Sequence, residues 1–148
     1  EAILGLKLAG EAGSSLTLAL KAYVDQLARL SDLPVTFEWQ SEVQTLHIPA
    51  ETELQLLRIV QEALTNARKH AAASRVWVNL QLDGNLLDVQ VRDDGRGFDP
   101  QWVSAAQREH YGLESMRQRA EMIGASLHLE SQPGAGTRIL VQLNLNGS

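Results

Sequence analysis

Glu62, Asn66, Lys69 and His70 recur at i, i+4, i+7 and i+8 in a stretch whose apolar residues also keep a helical period. That spacing predicts a single polar stripe, opposite a buried side made by Leu56, Leu57, Val60, Leu64 and Ala67. A carboxylate, an amide oxygen, an ammonium and an imidazole on one stripe suit a hydrated Mg²⁺ and a polyphosphate. Mg²⁺ takes hard oxygen ligands and keeps several waters, and an ammonium sits well against phosphate oxygens. The same four residues also describe an ordinary solvated helix face, so the stripe alone leaves both readings open.

Asp93 closes an alternating run of Leu87, Val89 and Val91, after which the chain breaks into Asp94-Gly95-Arg96-Gly97. Glycines on both sides of one residue let the backbone take positive φ and approach a ligand closely. A carboxylate there can accept a hydrogen bond from the exocyclic amine of adenine, where guanine would present a carbonyl oxygen. Such a bond to a charged group contributes about 1.5–3 kcal/mol. Taken alone, the segment reads first as an Asp-Gly turn after a strand. It is not a dinucleotide fingerprint, because Phe98-Asp99-Pro100 follow without a third glycine or a helix, and no GxxxxGK[ST] run occurs.

Tyr111-Gly112-Leu113 stands where a loop enters a helix, and free N–H groups at a helix start attract anions such as a triphosphate. Arg108 precedes this point, and Arg117 and Arg119 follow it. Gly134-Ala135-Gly136-Thr137 permits a tight turn, as in any hairpin. Of the four histidines, His70 lies on the polar stripe, His110 sits at the hinge of the loop, and His47 and His128 read as strand residues. No HExxH or similar metal-ligand spacing occurs, which argues against zinc.

The elements that must position these groups follow from period and punctuation. Ser14 or Ser15 caps a helix whose stripe is Leu16, Leu20, Tyr23, Leu27 and Leu30, and Ser31-Asp32-Leu33-Pro34 ends it. Val35, Phe37 and Trp39 alternate as in a half-buried strand. A second helix starts at Pro49 and ends near His70. Strands around Val76–Leu82 and Leu87–Val91 flank an Asp83-Gly84 turn. The stretch from Pro100 to His110 reads as a loop. A third helix runs from about Leu113 to Ile123, stopped by Gly124. Leu127 and Leu129, then Ile139, Val141 and Leu143, form a last hairpin across Pro133–Gly136. This order predicts an α/β (α+β) two-layer sandwich, a mixed sheet with helices on one face, preceded by a helical connector.

The 148 residues suffice for one domain with a short appendage, and a composition of 44% hydrophobic and 21% charged residues is ordinary for a globular protein. A net charge of -5 and a pI near 5.3 lack the basic footprint of a nucleic-acid binder. Without cysteine there is no disulfide, thiolate metal site or thiol nucleophile. No apolar run reaches the roughly 20 residues of a membrane span. The chain starts at Glu1 without a signal sequence or an initiating Met, so the expectation is a cytoplasmic fragment of a longer protein, with any membrane anchor upstream.

In combination, the stretches Val60–Ala71, Val91–Phe98, His110–Leu113 with Met116–Ala120, and Pro133–Thr137 resemble the N, G1, G2 and G3 boxes of a GHKL-type (Bergerat) ATP-binding domain. Their wording is similar to the catalytic domain of sensor histidine kinases, and within these to the NarX/DesK-like subfamily that partners NarL-type response regulators. The likeness covers about Pro34 to Leu145. It implies residues 1–33 as a connector from the dimerisation region and 34–148 as the catalytic ATP-binding domain.

The resemblance further implies ATP and Mg²⁺ as ligands. Asn66 would coordinate the metal, with Glu62 as its partner or as the base polarising the incoming histidine. Lys69 and His70 would meet phosphate or ribose, and Asp93 would hold the adenine amine. Gly95, Gly97, Gly112, Gly134 and Gly136, with His110, Tyr111, Leu113 and Thr137, would shape the pocket, and the segment from Trp102 to His110 would be a short ATP lid. The family's phosphoacceptor pattern, of the Glu-Leu-His-Asp kind, is missing, so the acceptor histidine is expected on an upstream helix of the same or a sister chain in a full-length homodimer. Two other readings share the pocket: an anti-sigma-factor serine kinase, and a non-enzymatic signalling module.

Overall fold

The computed structural model describes residues 16–100 and 111–146. The expected cap at Ser14 or Ser15, the Trp102–His110 loop, Arg108 and His110 lie outside the described residues. Helix α1 spans Leu16–Leu30, strand β1 Val35–Trp39, helix α2 Ala50–Lys69, strands β2 and β3 Val76–Asp83 and Leu86–Asp93, helix α3 Leu113–Met122, and strands β4 and β5 Ser126–Ser131 and Thr137–Asn144. One 3₁₀ turn, Ser41–Thr45, was not foreseen from the sequence; it packs against β2 and α1 and buries Val43 fully.

The five strands form one sheet in the order β1-β2-β3-β5-β4. β1 runs parallel to β2, and all other neighbours are antiparallel, so the sheet is mixed as expected. Alternation decides its faces. Val76, Val78 and Leu80 of β2, Leu87, Val89 and Val91 of β3, and Ile139, Val141 and Leu143 of β5 are all buried on the helical side. The other side carries Trp77, Gln90, Arg92, Glu130, Arg138 and Gln142, which are half-buried or exposed. The result is two layers with helices on one face. Asp83 pairs with Leu86, so the two loop residues of the β2–β3 hairpin are Gly84 and Asn85, one position later than the Asp83-Gly84 expected.

α2 is the core helix. Its Leu56, Leu57, Val60, Leu64 and Ala67 are buried as predicted, together with Ile59 and Ala63. Each fully buried aliphatic side chain contributes roughly 1.5–3 kcal/mol relative to exposure. α1 packs on β1 and α2, and its Leu16, Ala19, Leu20, Val24 and Leu27 belong to the same apolar cluster as the sheet. Leu30 departs from the expected stripe: it is 76% exposed, because the helix ends there and Leu33 turns inward instead. α3 lies on α2 and β4, and Gly124 follows it at φ +70, the stop conformation expected.

Candidate functional site

Between α2 and the ends of β3 and β5 lies a cleft lined by Ala63, Asn66, His70, Ala71, Val91, Asp93, Gly97, Phe98, Tyr111, Leu113, Thr137 and Ile139. The pattern that buries Leu87, Val89 and Val91 carries Asp93, the next residue of that row, into the same layer. Asp93 is 7% exposed, and its Oδ1 accepts the N–H of Gly95 over 2.8 Å. Burial pushes its carboxyl above the usual aspartate value, partly offset by backbone N–H groups of Gly95 and Thr137, while the charge of Asp94 adds to the rise.

Asp94 points the other way and fastens the loop. Its Oδ1 accepts the backbone N–H groups of Ser74 and Arg75 at 2.8 and 3.0 Å, and its Oδ2 the Ser74 hydroxyl at 2.6 Å. The Ser74 hydroxyl bond is the main reason its carboxyl stays below the usual value. Arg96 completes the fastening: its N–H donates to Ala71 O at 2.8 Å, its Nε to His70 O at 2.9 Å, and its own carbonyl accepts from Gly134 N–H at 2.6 Å. A cation on the last carbonyls of α2 also suits the negative end of that helix. These two residues stand inside a predicted motif, yet only tertiary pairing reveals what they do.

The close approaches explain the glycines. A Cβ on Gly95 would collide with the Ala71 carbonyl, and one on Gly97 with the Gln132 carbonyl. At Gly136, with φ +80, it would run into the Asp93 carbonyl oxygen. Gly134 is different: it has φ +81, but a Cβ there meets nothing.

Across the cleft from Asp93, Asn66 donates through Nδ2 to the carbonyl of Tyr111 over 2.6 Å. Because that carbonyl can only accept, the amide orientation is fixed. Its Oδ1 is then buried with no hydrogen-bond partner among the described residues. Glu62, one turn earlier, lies over Gly112, where an added Cβ would stand 2.6 Å from its Cδ and Oε2. An orphaned amide oxygen with a carboxylate one turn away is the donor set that Mg²⁺ accepts, so the residues present fit that ion. Tyr111 stacks on Phe98 with ring centroids 5.4 Å apart and planes at 15°, and His70 meets it edge-on at 5.2 Å.

The structure thus gathers Asn66, His70, Asp93, Gly97, Tyr111, Leu113 and Thr137 on the cleft wall, with Glu62, Gly95, Gly112 and Gly136 directly behind it. Lys69 is exposed and does not line the cleft, and Gly134 is exposed in the β4–β5 turn. The polar stripe does not lie opposite the apolar side. At about 100° per residue, Asn66 and His70 border the buried row of Ala63 and Ala67, and only Lys69 faces away. Arg119 turns to Gln55 of α2 rather than to the cleft. Sequence reasoning missed Phe98, Ala71, Val91 and Ile139 as lining residues; Phe98, next to Gly97, was the one whose position hinted at it.

A family model described as histidine kinase-, DNA gyrase B-, and HSP90-like ATPase matches residues 51–147, which include every element around the cleft. The chain belongs to this ATPase family. Membership makes ATP the ligand of its fold. The chain is 35% identical over 144 residues to the sensor protein VraS of Staphylococcus aureus, covering 97% of this chain and 40% of that protein. An uncharacterized sensor-like histidine kinase of Chloroflexus aurantiacus is 34% identical over 130 residues, 85% of this chain and 22% of its own length. Among solved structures, the histidine kinase domain of the Erythrobacter litoralis EL346 blue-light activated histidine kinase superposes with a TM-score of 0.71 at 25% identity, over 98% of this chain and 72% of that one. This ATPase domain is therefore homologous to the catalytic domains of sensor histidine kinases, and it spans well under half the length of the two sensor relatives. Among the described residues, no helix is long and apolar enough to cross a membrane.

Proposed function

We propose that the domain binds Mg-ATP in this cleft and supplies the γ-phosphoryl group to a histidine of a sensor kinase, for relay to a response regulator. The observation that carries the reading is the pairing of a buried carboxylate, Asp93, with an unpartnered amide oxygen, Asn66 Oδ1, on opposite walls of one cleft. Asp93 reads the adenine amine. Asn66, with Glu62, holds Mg²⁺, which when bound offsets negative charge on the phosphates. The N–H groups at Tyr111-Gly112-Leu113 face the phosphate tail at the start of α3. His70 serves phosphate or ribose, His110 belongs to the same nucleotide-binding set, and Gly95, Gly97, Gly112, Gly134, Gly136 and Thr137 shape the walls. Glu62 polarises the attacking imidazole, whose nitrogen takes the phosphoryl group as ADP departs. Such transfer depends mostly on positioning and charge neutralisation.

The wording of the motifs supports a NarX/DesK-like kinase with a NarL-type regulator, acting as a homodimer in the cytoplasm, with residues 1–33 as connector and 34–148 as catalytic domain. Calorimetry with Mg-ATP tests the binding: saturable heat is expected, and no heat would end the assignment. None of His47, His70, His110 and His128 sits in an acceptor pattern. The isolated chain is therefore expected to form no phosphohistidine with Mg-ATP, while a chain that carries the acceptor helix becomes labelled. Label on the isolated chain contradicts this division of labour.

Asn66→Ala should weaken Mg-ATP binding about tenfold or more, because it removes the metal's ligand and the bond to the Tyr111 carbonyl. Adenosine, which carries no phosphate, should bind it as it binds the parent. Titration of both ligands checks this, and equal losses for the two place the defect in the fold rather than the metal site.

A further inference from the structure

Arg119, one of the arginines that follow Tyr111-Gly112-Leu113, donates through Nη1 to Gln55 Oε1 over 2.9 Å, and Gln55 Nε2 donates to Glu51 over 2.8 Å. Gln55 is only 5% exposed, so its buried amide is satisfied at one end by a cation and at the other by a carboxylate. Besides this bridge, α3 is held among the described residues by apolar packing on α2 and β4. It is ten residues long, it buries Leu113, Met116 and Ala120, and Glu114, Arg117, Gln118 and Glu121 are exposed.

The placement of this bridge is what gives it consequence. Gln55 lies seven residues before Glu62 on α2, and Arg119 seven residues after Gly112 on α3, about 10 Å along each helix. The two helices therefore run antiparallel and are joined twice. One joint is Arg119 on Gln55; the other is Glu62 on Gly112 with Asn66 on the Tyr111 carbonyl. We propose that Arg119 and Gln55 are positioning residues for the phosphate end of the nucleotide site, seating α3 so that the Tyr111 carbonyl holds the Asn66 amide with its oxygen toward the cation. This rests on the reading of Asn66 as a Mg²⁺ ligand. Without Arg119, Gln55 Oε1 is buried and unpaired, and α3 lowers that penalty by shifting until water reaches the amide. The 2.6 Å bond at the other joint is lost in the same movement. The purine end is spared, because Asp93 is held by the strand and by Gly95.

Arg119→Met keeps the aliphatic stem and removes the donor. Titrated calorimetrically, this variant should bind Mg-ATP roughly tenfold more weakly and adenosine within twofold of the parent. Gln55→Met should do the same. The double variant should be no worse than either single one, because a single joint is lost once. Arg119→Lys, which still offers a donor, should recover part of the loss. Mg-ATP and adenosine weakened alike would make the bridge merely structural, and unchanged Mg-ATP affinity in the folded Met variants would remove its role. A parent chain that binds no Mg-ATP overturns the nucleotide reading itself, and this inference with it. A parent that binds and variants that bind as tightly overturn only the inference.

Discussion

Asp93→Asn loses adenine-nucleotide affinity by about ten- to a hundredfold, the worth of a hydrogen bond to a charged group, while the ligand-free fold keeps or gains stability. The asymmetry comes from burial. The Asp93 carboxyl is raised above its usual value chiefly because it is taken out of water, so the charged form burdens the ligand-free protein at neutral pH. Amide and carboxylate have the same shape, but the amide keeps the Gly95 bond only by turning its oxygen that way. Its NH₂ group then faces the adenine amine, donor against donor.

The pH dependence follows with a definite sign. A carboxyl whose folded value is raised contributes stability below its unfolded value and loses it as pH rises through the folded value. The ligand-free parent should therefore gain stability, relative to Asp93→Asn, on acidification through the window just above the usual aspartate range. Binding moves the other way, because the base needs the ionised form: parent affinity falls through that window and the residual affinity of the variant stays flat. Thermal melts and calorimetry across that range check both. A variant that binds like the parent takes Asp93 out of base recognition.

Gly136→Ala is expected to be among the most destabilising single substitutions in the chain. Its φ of +80 costs an L-residue about 1–3 kcal/mol by itself. The added methyl also meets the Asp93 carbonyl, with Asp93 C at 3.1 Å and Asp94 Cα at 3.3 Å. These are backbone atoms, so no rotamer relieves the overlap. Strand β5 must draw back from β3 at the Asp93–Thr137 pair, disturbing the purine end as well. Gly134→Ala separates the two causes. It bears nearly the same φ, +81, with no neighbour in the way, so it shows the conformational cost alone. Gly136→Ala should melt roughly 10 °C or more below the parent, and Gly134→Ala only a few degrees below. Equal melting points would mean that the β3–β5 junction has slack at this contact.

Much of this was legible in the residues. Alternation named the sheet face and carried Asp93 inward, and the three-four period named the buried side of α2. Other features depended on partners distant in sequence. That Asn66 is held by the Tyr111 carbonyl, 45 residues away, has no local signal. The polar stripe was read as opposite the core because periodicity gives angles on an isolated helix, not the direction from which the sheet arrives. Hence Lys69 faces solvent and Asn66 the cleft. Arg119 follows the expected anion site in sequence, but the buried Gln55 takes it. Leu30 illustrates the same limit at a helix end, where burial passes to Leu33.

The sheet surface away from the helices is already matched within itself. Arg138 reaches Glu130 and Gln90, Gln142 reaches Asp88, and Arg92 lies 4.1 Å above the Trp77 ring. Docking there would have to replace those pairings before it gained any, so a partner has less to win on this flank than on one whose polar groups meet only water.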